Sequence, residues 1–281
     1  MPISPARGEM YPWIFATHNP IKGGCWNIQH GFGCKYCFIG IKELGRGKYQ
    51  GPLTLKEEEL QEKYKPGNFY FIGSAIDLWH PKVSDEDIGR ILSNCDLWRR
   101  QCPASLEKPR FLFQTKNPVR FMKFLGEIPL GSTLATTYET NDMELYEGMS
   151  RAPDPNSRLA KMLVLAEEAG DLFQFMLSIE PIMKPKDPQS FLRMITSLRW
   201  DLVSIGADSC EAFSMEKQPS AHYITFLAQE LESMGITVII KTNCGNLSTT
   251  PNETVEFWDS MGWIYHRKVE KEKKIIQESF L

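Results

Sequence analysis

Three observations predict an α/β fold built on a parallel sheet. Strand-like runs alternate with segments of helical spacing, the alternation repeats six or seven times, and 281 residues suffice for one large domain with a sizeable core. Strands separated by helices pair in parallel through crossover connections. Eight such units close a full TIM barrel, so six or seven make a partial one, (β/α)6 or (β/α)7. Its site would lie at the carboxyl ends of the strands. A doubly wound open sheet is the alternative arrangement of the same elements.

A first strand is expected just before or at Cys25. Leu53 to Tyr64 is rich in helix formers, with apolar Leu53, Leu60 and Tyr64, and Pro66-Gly67 stops it; it reads as a surface helix or helical turn. Phe69 to Gly73 is a short aromatic run between turn residues, as a buried strand requires. Ser84 then caps a helix whose first turn, Asp85-Glu-Asp87, suits the helix dipole, and Ile88, Ile91, Leu92 and Cys95 carry it to about Arg100. Further strands are predicted at Arg110–Thr115, Thr133–Thr137, Phe173–Ile179, Leu202–Gly206 and Thr237–Lys241. Helices fall between them near Val119–Leu125, Arg158–Glu168, Pro188–Leu198 and Ala221–Met234. Asn141 to Ser157, with Gly148, Pro153 and Pro155, breaks the rhythm as a loop insertion holding a short helical stretch. The barrel is expected over 1–264, and 265–281 forms a charged, solvated tail.

Composition narrows the setting. A net charge of -3 shows no global basic excess of the kind that announces nucleic acid. Seven cysteines, an odd number scattered without a signal sequence, point to a reducing, cytoplasmic compartment rather than a disulfide framework. No apolar run approaches the roughly eighteen residues of a membrane span.

Three of those cysteines, Cys25, Cys34 and Cys37, share the glycine-rich stretch Thr17–Gly40, with eight residues between the first two and two between the second pair. Cys34 and Cys37 can face one metal centre from a single turn while glycines, Gly31 and Gly33 among them, let the segment bend back to Cys25. An iron–sulfur cluster that only passes electrons usually takes four cysteines, so three leave one iron open for a ligand. A structural zinc site completed by His30 or His18 is the competing reading. A thioredoxin-like pair would leave Cys25 unexplained.

Polar residues follow each predicted strand. The ends read Gly73-Ser74-Ala-Ile-Asp77-Leu-Trp79-His80, Gln114-Thr-Lys116-Asn117, Thr136-Thr137-Tyr-Glu139-Thr-Asn141, Ser178-Ile-Glu180-Pro181, Gly206-Ala207-Asp208-Ser-Cys210 and Lys241-Thr-Asn243-Cys244. Any one of them reads as a cap or a turn. Six in register point to a site.

With Tyr36 directly before the third cysteine, the pattern Cys-x-aromatic-Cys resembles the radical S-adenosylmethionine (radical SAM) enzymes, in an expanded form of their usual spacing. The order Asn-Pro-Ile-x-Gly-Gly-Cys, Gly-Ser-x-x-Asp-Leu, Thr-Lys-Asn-Pro-x-Arg, Ser-Ile-Glu-Pro-Ile and Trp-Asp-Leu-Val-x-Ile-Gly resembles the phage-associated, three-cysteine Gp37/Gp68-like (DUF5131) family, related to spore photoproduct lyase, over roughly residues 13–246. The resemblance implies a partial barrel, a [4Fe–4S] cluster on Cys25, Cys34 and Cys37, SAM on its open iron, and a reductant such as a ferredoxin or flavodoxin. It implies reductive cleavage of SAM to a 5′-deoxyadenosyl radical that abstracts hydrogen from a substrate. Carried onto this chain, Gly73, Ser74 and Asp77 would meet the SAM amino group, and Thr137, Glu139 and Asn141 the ribose. Arg158 would pair with the SAM carboxylate. Phe38 and Ile39 would lie beside the adenine, with backbone at Gly206 and Ala207 approaching it, and Tyr36 would count among the cofactor-binding residues.

The catalytic group stays open among Lys116, Glu180, Cys210 and Lys241, and a hydrogen donor between Cys210 and Cys244. Lys116, Lys184, Lys186 and Lys241 read as a basic rim around the barrel mouth, which with the spore photoproduct lyase likeness points to a nucleotide or nucleic-acid substrate. The competing functions are a zinc-stapled nucleic-acid or protein binding module without turnover, and a hydrolytic barrel using Glu139 or Glu180.

Overall fold

The computed structural model describes residues 3–7, 10–25, 34–37, 49, 51–209 and 217–246. Its centre is an eight-stranded sheet. β1 (Ser4–Pro5) lies antiparallel on β2 (Ala16–His18), and β2 pairs in parallel with β5 (Phe69–Ile72). Between them β3 (Ile21–Lys22) and β4 (Thr54–Leu55) form a separate antiparallel pair. Then β6 (Arg110–Thr115), β7 (Thr133–Thr137), β8 (Gln174–Ile179), β9 (Leu202–Ile205) and β10 (Thr237–Ile240) each add in parallel to the strand before. Spatial order thus follows chain order without the reversal that marks a doubly wound sheet. The described sheet is open, with β1 and β10 at its edges.

The helices among the described residues are α1 (Asp85–Gln101), α2 (Val119–Lys123), α3 (Met143–Tyr146), α4 (Pro155–Ala169), α5 (Pro188–Ile195) and α6 (Ala221–Ser233). Ser84 caps α1 by accepting from the Asp87 amide, as the sequence predicts. α4 starts three residues earlier than expected, because the Asp154 carboxylate accepts from the Ser157 amide and Pro155 fits the first helical turn.

Side chains alternate across the strands and build two different faces. On one face Tyr70, Ile72, Phe111, Phe113, Leu177 and Val203 pack against Ile88 and Leu92 of α1, Phe121 of α2, Leu159 of α4, Phe191 of α5 and Leu227 of α6. On the other, Phe69, Phe71, Leu112, Ala135, Met176 and Ile239 are covered by the N-terminal segment through Ala6, Tyr11, Trp13 and Ile14. Both tryptophan and isoleucine of that plug are fully buried. Among the described residues, all the helices that reach the sheet's core therefore lie on one side of it.

Leu53–Tyr64 meets its expectation in part: Thr54–Leu55 forms β4, and a single 3-10 turn, Glu57–Gln61, follows, with Glu59 turned inward to 3% exposure. The 265–281 tail, His30, Phe38, Ile39 and Cys210 lie outside the described residues. Among the described residues no helix is long and apolar enough to cross a membrane.

Candidate functional site

Because β2 and β5 to β10 run parallel, their carboxyl ends share one edge of the sheet. The cysteines come to that edge. Half-buried Cys25 packs on the helix-side core, and a backbone hydrogen bond at Asp77, just past β5, reaches its sulfur. Burial pushes the Cys25 thiol well up, the Cys37, Asp77 and Cys34 charges add to this, and the Asp77 hydrogen bond partly opposes it. Cys34 and Cys37 close one tight turn, with the Cys37 amide donating to the Cys34 carbonyl at 2.8 Å. Three thiols within electrostatic reach of one another are a donor set that suits iron–sulfur or zinc chemistry. As placed, however, no group of three His, Cys, Asp or Glu among the described residues is gathered into a metal-holding cluster.

Beside the turn lies a buried charge triad. Glu139 and Arg158 are both fully buried, and the guanidinium meets the carboxylate at two points, Nη2 to Oε2 at 2.8 Å and Nη1 to Oε1 at 3.2 Å. Lys116 Nζ donates to Glu139 Oε1 at 2.5 Å and to Thr137 Oγ1 at 2.7 Å. Arg158 also donates to the Thr137 carbonyl, the Thr137 hydroxyl and the Tyr146 hydroxyl. Burial alone would raise the Glu139 carboxyl, but the Arg158 and Lys116 charges override it and hold the group well below the usual carboxylate range. Burial likewise works against the Lys116 ammonium, and Glu139 reverses that, raising it.

A second pair stands at the ends of β8 and β10. Lys241 Nζ meets Glu180 Oε2 at 2.5 Å and sits 4.4 Å from the centre of the Tyr11 ring. The Tyr11 hydroxyl bridges Gln114 at 2.7 Å and Ser178 at 2.9 Å, so the N-terminal plug is tied to β6 and β8. Burial, with the Glu180 charge second, pushes the Tyr11 phenol well up. Gly206 gives Glu180 its room: a Cβ there would lie 2.7 Å from the carboxylate carbon.

Compared with known proteins, the chain matches no family model and no curated protein.

Several residues expected to contact SAM make hydrogen bonds and ion pairs within the protein. Arg158, expected to meet a carboxylate of SAM, is committed to Glu139, because a wholly buried guanidinium requires a counter-charge. Glu139, expected at the ribose, accepts from Lys116, Arg158, Tyr36 and the Thr137 hydroxyl, and Thr137, expected there too, in turn accepts from Lys116 and Arg158. Asp77 accepts from Thr115 Oγ1 at 2.8 Å and from the Lys116 and Trp79 amides at 3.0 Å, locking one strand end to the next. Asn141 ties the 186–187 backbone. Gly73 turns the chain after β5 at φ +81°, its amide donating to the His18 carbonyl at 2.8 Å, and Ser74 meets Asn19. Of the four lysines read as a basic rim, Lys241 is buried and Lys116 half-buried, each in an ion pair, while Lys184 and Lys186 are exposed and Lys186 reaches Glu144. His18 is withdrawn from any zinc site by Tyr64 at 2.6 Å and Glu59 at 3.3 Å. Sequence reasoning missed Tyr11, Tyr146 and Ser150; their signal is only that each is a hydrogen-bonding residue in an apparent loop or turn.

Proposed function

We propose that the chain is a radical SAM enzyme, a partial (β/α) barrel in which Cys25, Cys34 and Cys37 hold a [4Fe–4S] cluster and the open iron takes SAM. One observation supports this most: all three cysteines come to the carboxyl edge of a parallel sheet, Cys25 at the end of β5 and the Cys34–Cys37 turn against the ends of β6 and β7. Sequential strand order and helices on one face are what a barrel wall would have. When bound, the cluster would supply reductive cleavage of SAM, and through it hydrogen-atom abstraction, with the electron delivered by a ferredoxin- or flavodoxin-like donor.

The chain's own residues shape the surroundings. The Tyr11–Trp13 plug fills the helix-free face and excludes water beneath the strand ends. Glu180, 20% exposed in its side chain, and Lys241 remain the ionisable pair nearest that plug and the first choice for substrate contact. Glu139 is a poor choice for a hydrolytic base, being fully buried and ion-paired with both Lys116 and Arg158. A nucleotide or nucleic-acid substrate follows from the likeness to spore photoproduct lyase and not from the lysines.

The test is turnover of SAM by anaerobically reconstituted, chemically reduced protein. Release of 5′-deoxyadenosine that disappears in Cys25→Ala, Cys34→Ala and Cys37→Ala is expected. No release from wild type, or equal release from the three variants, overturns the reading.

A further inference from the structure

We propose that the Lys116–Glu139–Arg158 triad, together with α3 and the residues between it and α4, is a seat that positions the Cys34–Cys37 turn through the hydroxyl of Tyr36. The turn touches that seat with successive residues. Cys34 Sγ lies 3.0 Å from Ser150 Oγ, the Lys35 amide donates to the Met149 carbonyl at 2.9 Å, and Tyr36 donates to Glu139 Oε1 at 2.9 Å. The Tyr36 hydroxyl also lies 3.3 Å from that of Tyr146, and Lys116 Nζ sits 5.1 Å from the centre of its ring. Tyr36, Tyr146, Met149 and Met183 form a buried cluster of their own, separate from the two cores of the sheet.

An apolar platform would hold a tyrosine in many orientations. A carboxylate fixed by two cations accepts its hydroxyl in one, which is the positional use of a buried charge network that stability alone does not require. The insertion that interrupts the strand–helix rhythm thus has a task, since α3 and the residues after it supply Tyr146, Met149 and Ser150. Tyr36 and Glu139 are positioning residues in this account. The seat is argued from protein contacts and stands apart from the cluster reading; where that reading holds, the seat presents two of the three ligands.

The test uses metal-free protein and needs no cofactor. Alkylation by N-ethylmaleimide is followed residue by residue with mass spectrometry in wild type, Tyr36→Phe and Ser150→Ala. Loss of a hydrogen bond to a charged group is expected to speed modification of Cys34 and Cys37 by about tenfold or more in Tyr36→Phe. Cys95 and Cys244, both fully buried elsewhere, should stay as protected as in wild type. Ser150→Ala should speed Cys34 more than Cys37. Unchanged rates at Cys34 and Cys37 in Tyr36→Phe overturn the proposal, as does an equal rise at Cys95 and Cys244, which would show general loosening. If wild type binds no iron at all, the cluster reading fails while the alkylation result still decides the seat.

Discussion

Replacing Glu139 with glutamine keeps the shape of the triad and removes its only negative charge. Lys116 and Arg158 then remain side by side, Arg158 with no exposed surface and Lys116 with a side chain only 16% exposed. Removing one partner of a buried pair costs about 3–5 kcal/mol, and the glutamine oxygen retains part of the hydrogen bonding, so the lower end, about 3 kcal/mol, is expected. With an m-value of about 3 kcal/mol/M, that moves the urea midpoint down by about 1 M. The acid limb supplies a second signature. Glu139 is held below its ordinary value of 4.5 in the folded chain, so its contribution is complete at neutral pH and is lost as pH falls below that value. The gap between wild type and Glu139→Gln should therefore narrow in acid. Replacing all three residues together, Lys116→Met, Glu139→Leu and Arg158→Met, should recover most of the stability yet leave Cys34 and Cys37 reactive, because apolar packing substitutes for the charges but not for the hydrogen bond to Tyr36. A cost below about 1 kcal/mol for Glu139→Gln, the scale of an exposed pair, would refute the reasoning.

Other outcomes follow from single contacts. Burial, partly opposed by Glu59, pushes His18 down from 6.5 to about 4, so its contribution is present above pH 6.5 and lost as pH falls toward 4. At 1.36 kcal/mol per unit this amounts to about 3 kcal/mol; denaturation midpoints across that range should flatten in His18→Gln, and a slope equal to wild type would count against it. Gly206→Ala should cost about 1–3 kcal/mol by driving its Cβ into Glu180, and almost nothing in a Glu180→Ala background; equal costs in both backgrounds would dismiss the clash. Tyr11→Phe leaves Gln114 and Ser178 without their bridge and should lower stability by about 1–2 kcal/mol in thermal or urea unfolding, with no change being the contrary result.

Much of the fold is legible because the chain marks its own boundaries. β6 and β7 match their predicted limits, each being an unbroken strand-forming run, and α1 begins where Ser84 caps it. α4 is legible in its apolar spacing but not in its start, since Asp154-Pro155 reads equally as loop and as cap plus first turn. The site is legible only in part. Lys116, Glu139 and Arg158 stand out as strand-end and helix-start charges, but nothing in their spacing reveals that they neutralise one another. Their separations, 23 residues from Lys116 to Glu139 and 19 from Glu139 to Arg158, have no local periodicity that a sequence pattern could expose. Tyr11 lies 103 residues from Gln114 and Ser150 lies 116 from Cys34, contacts that exist only once the sheet has assembled.

The central claim is that Cys25, Cys34 and Cys37 bind a cluster, and metal content tests it most directly. Protein purified without oxygen and reconstituted with iron and sulfide should hold about four irons and absorb broadly near 400 nm, as such clusters do, with both signals lost in each cysteine-to-alanine variant. Colourless protein that carries one zinc, or iron that survives removal of all three cysteines, would contradict the account.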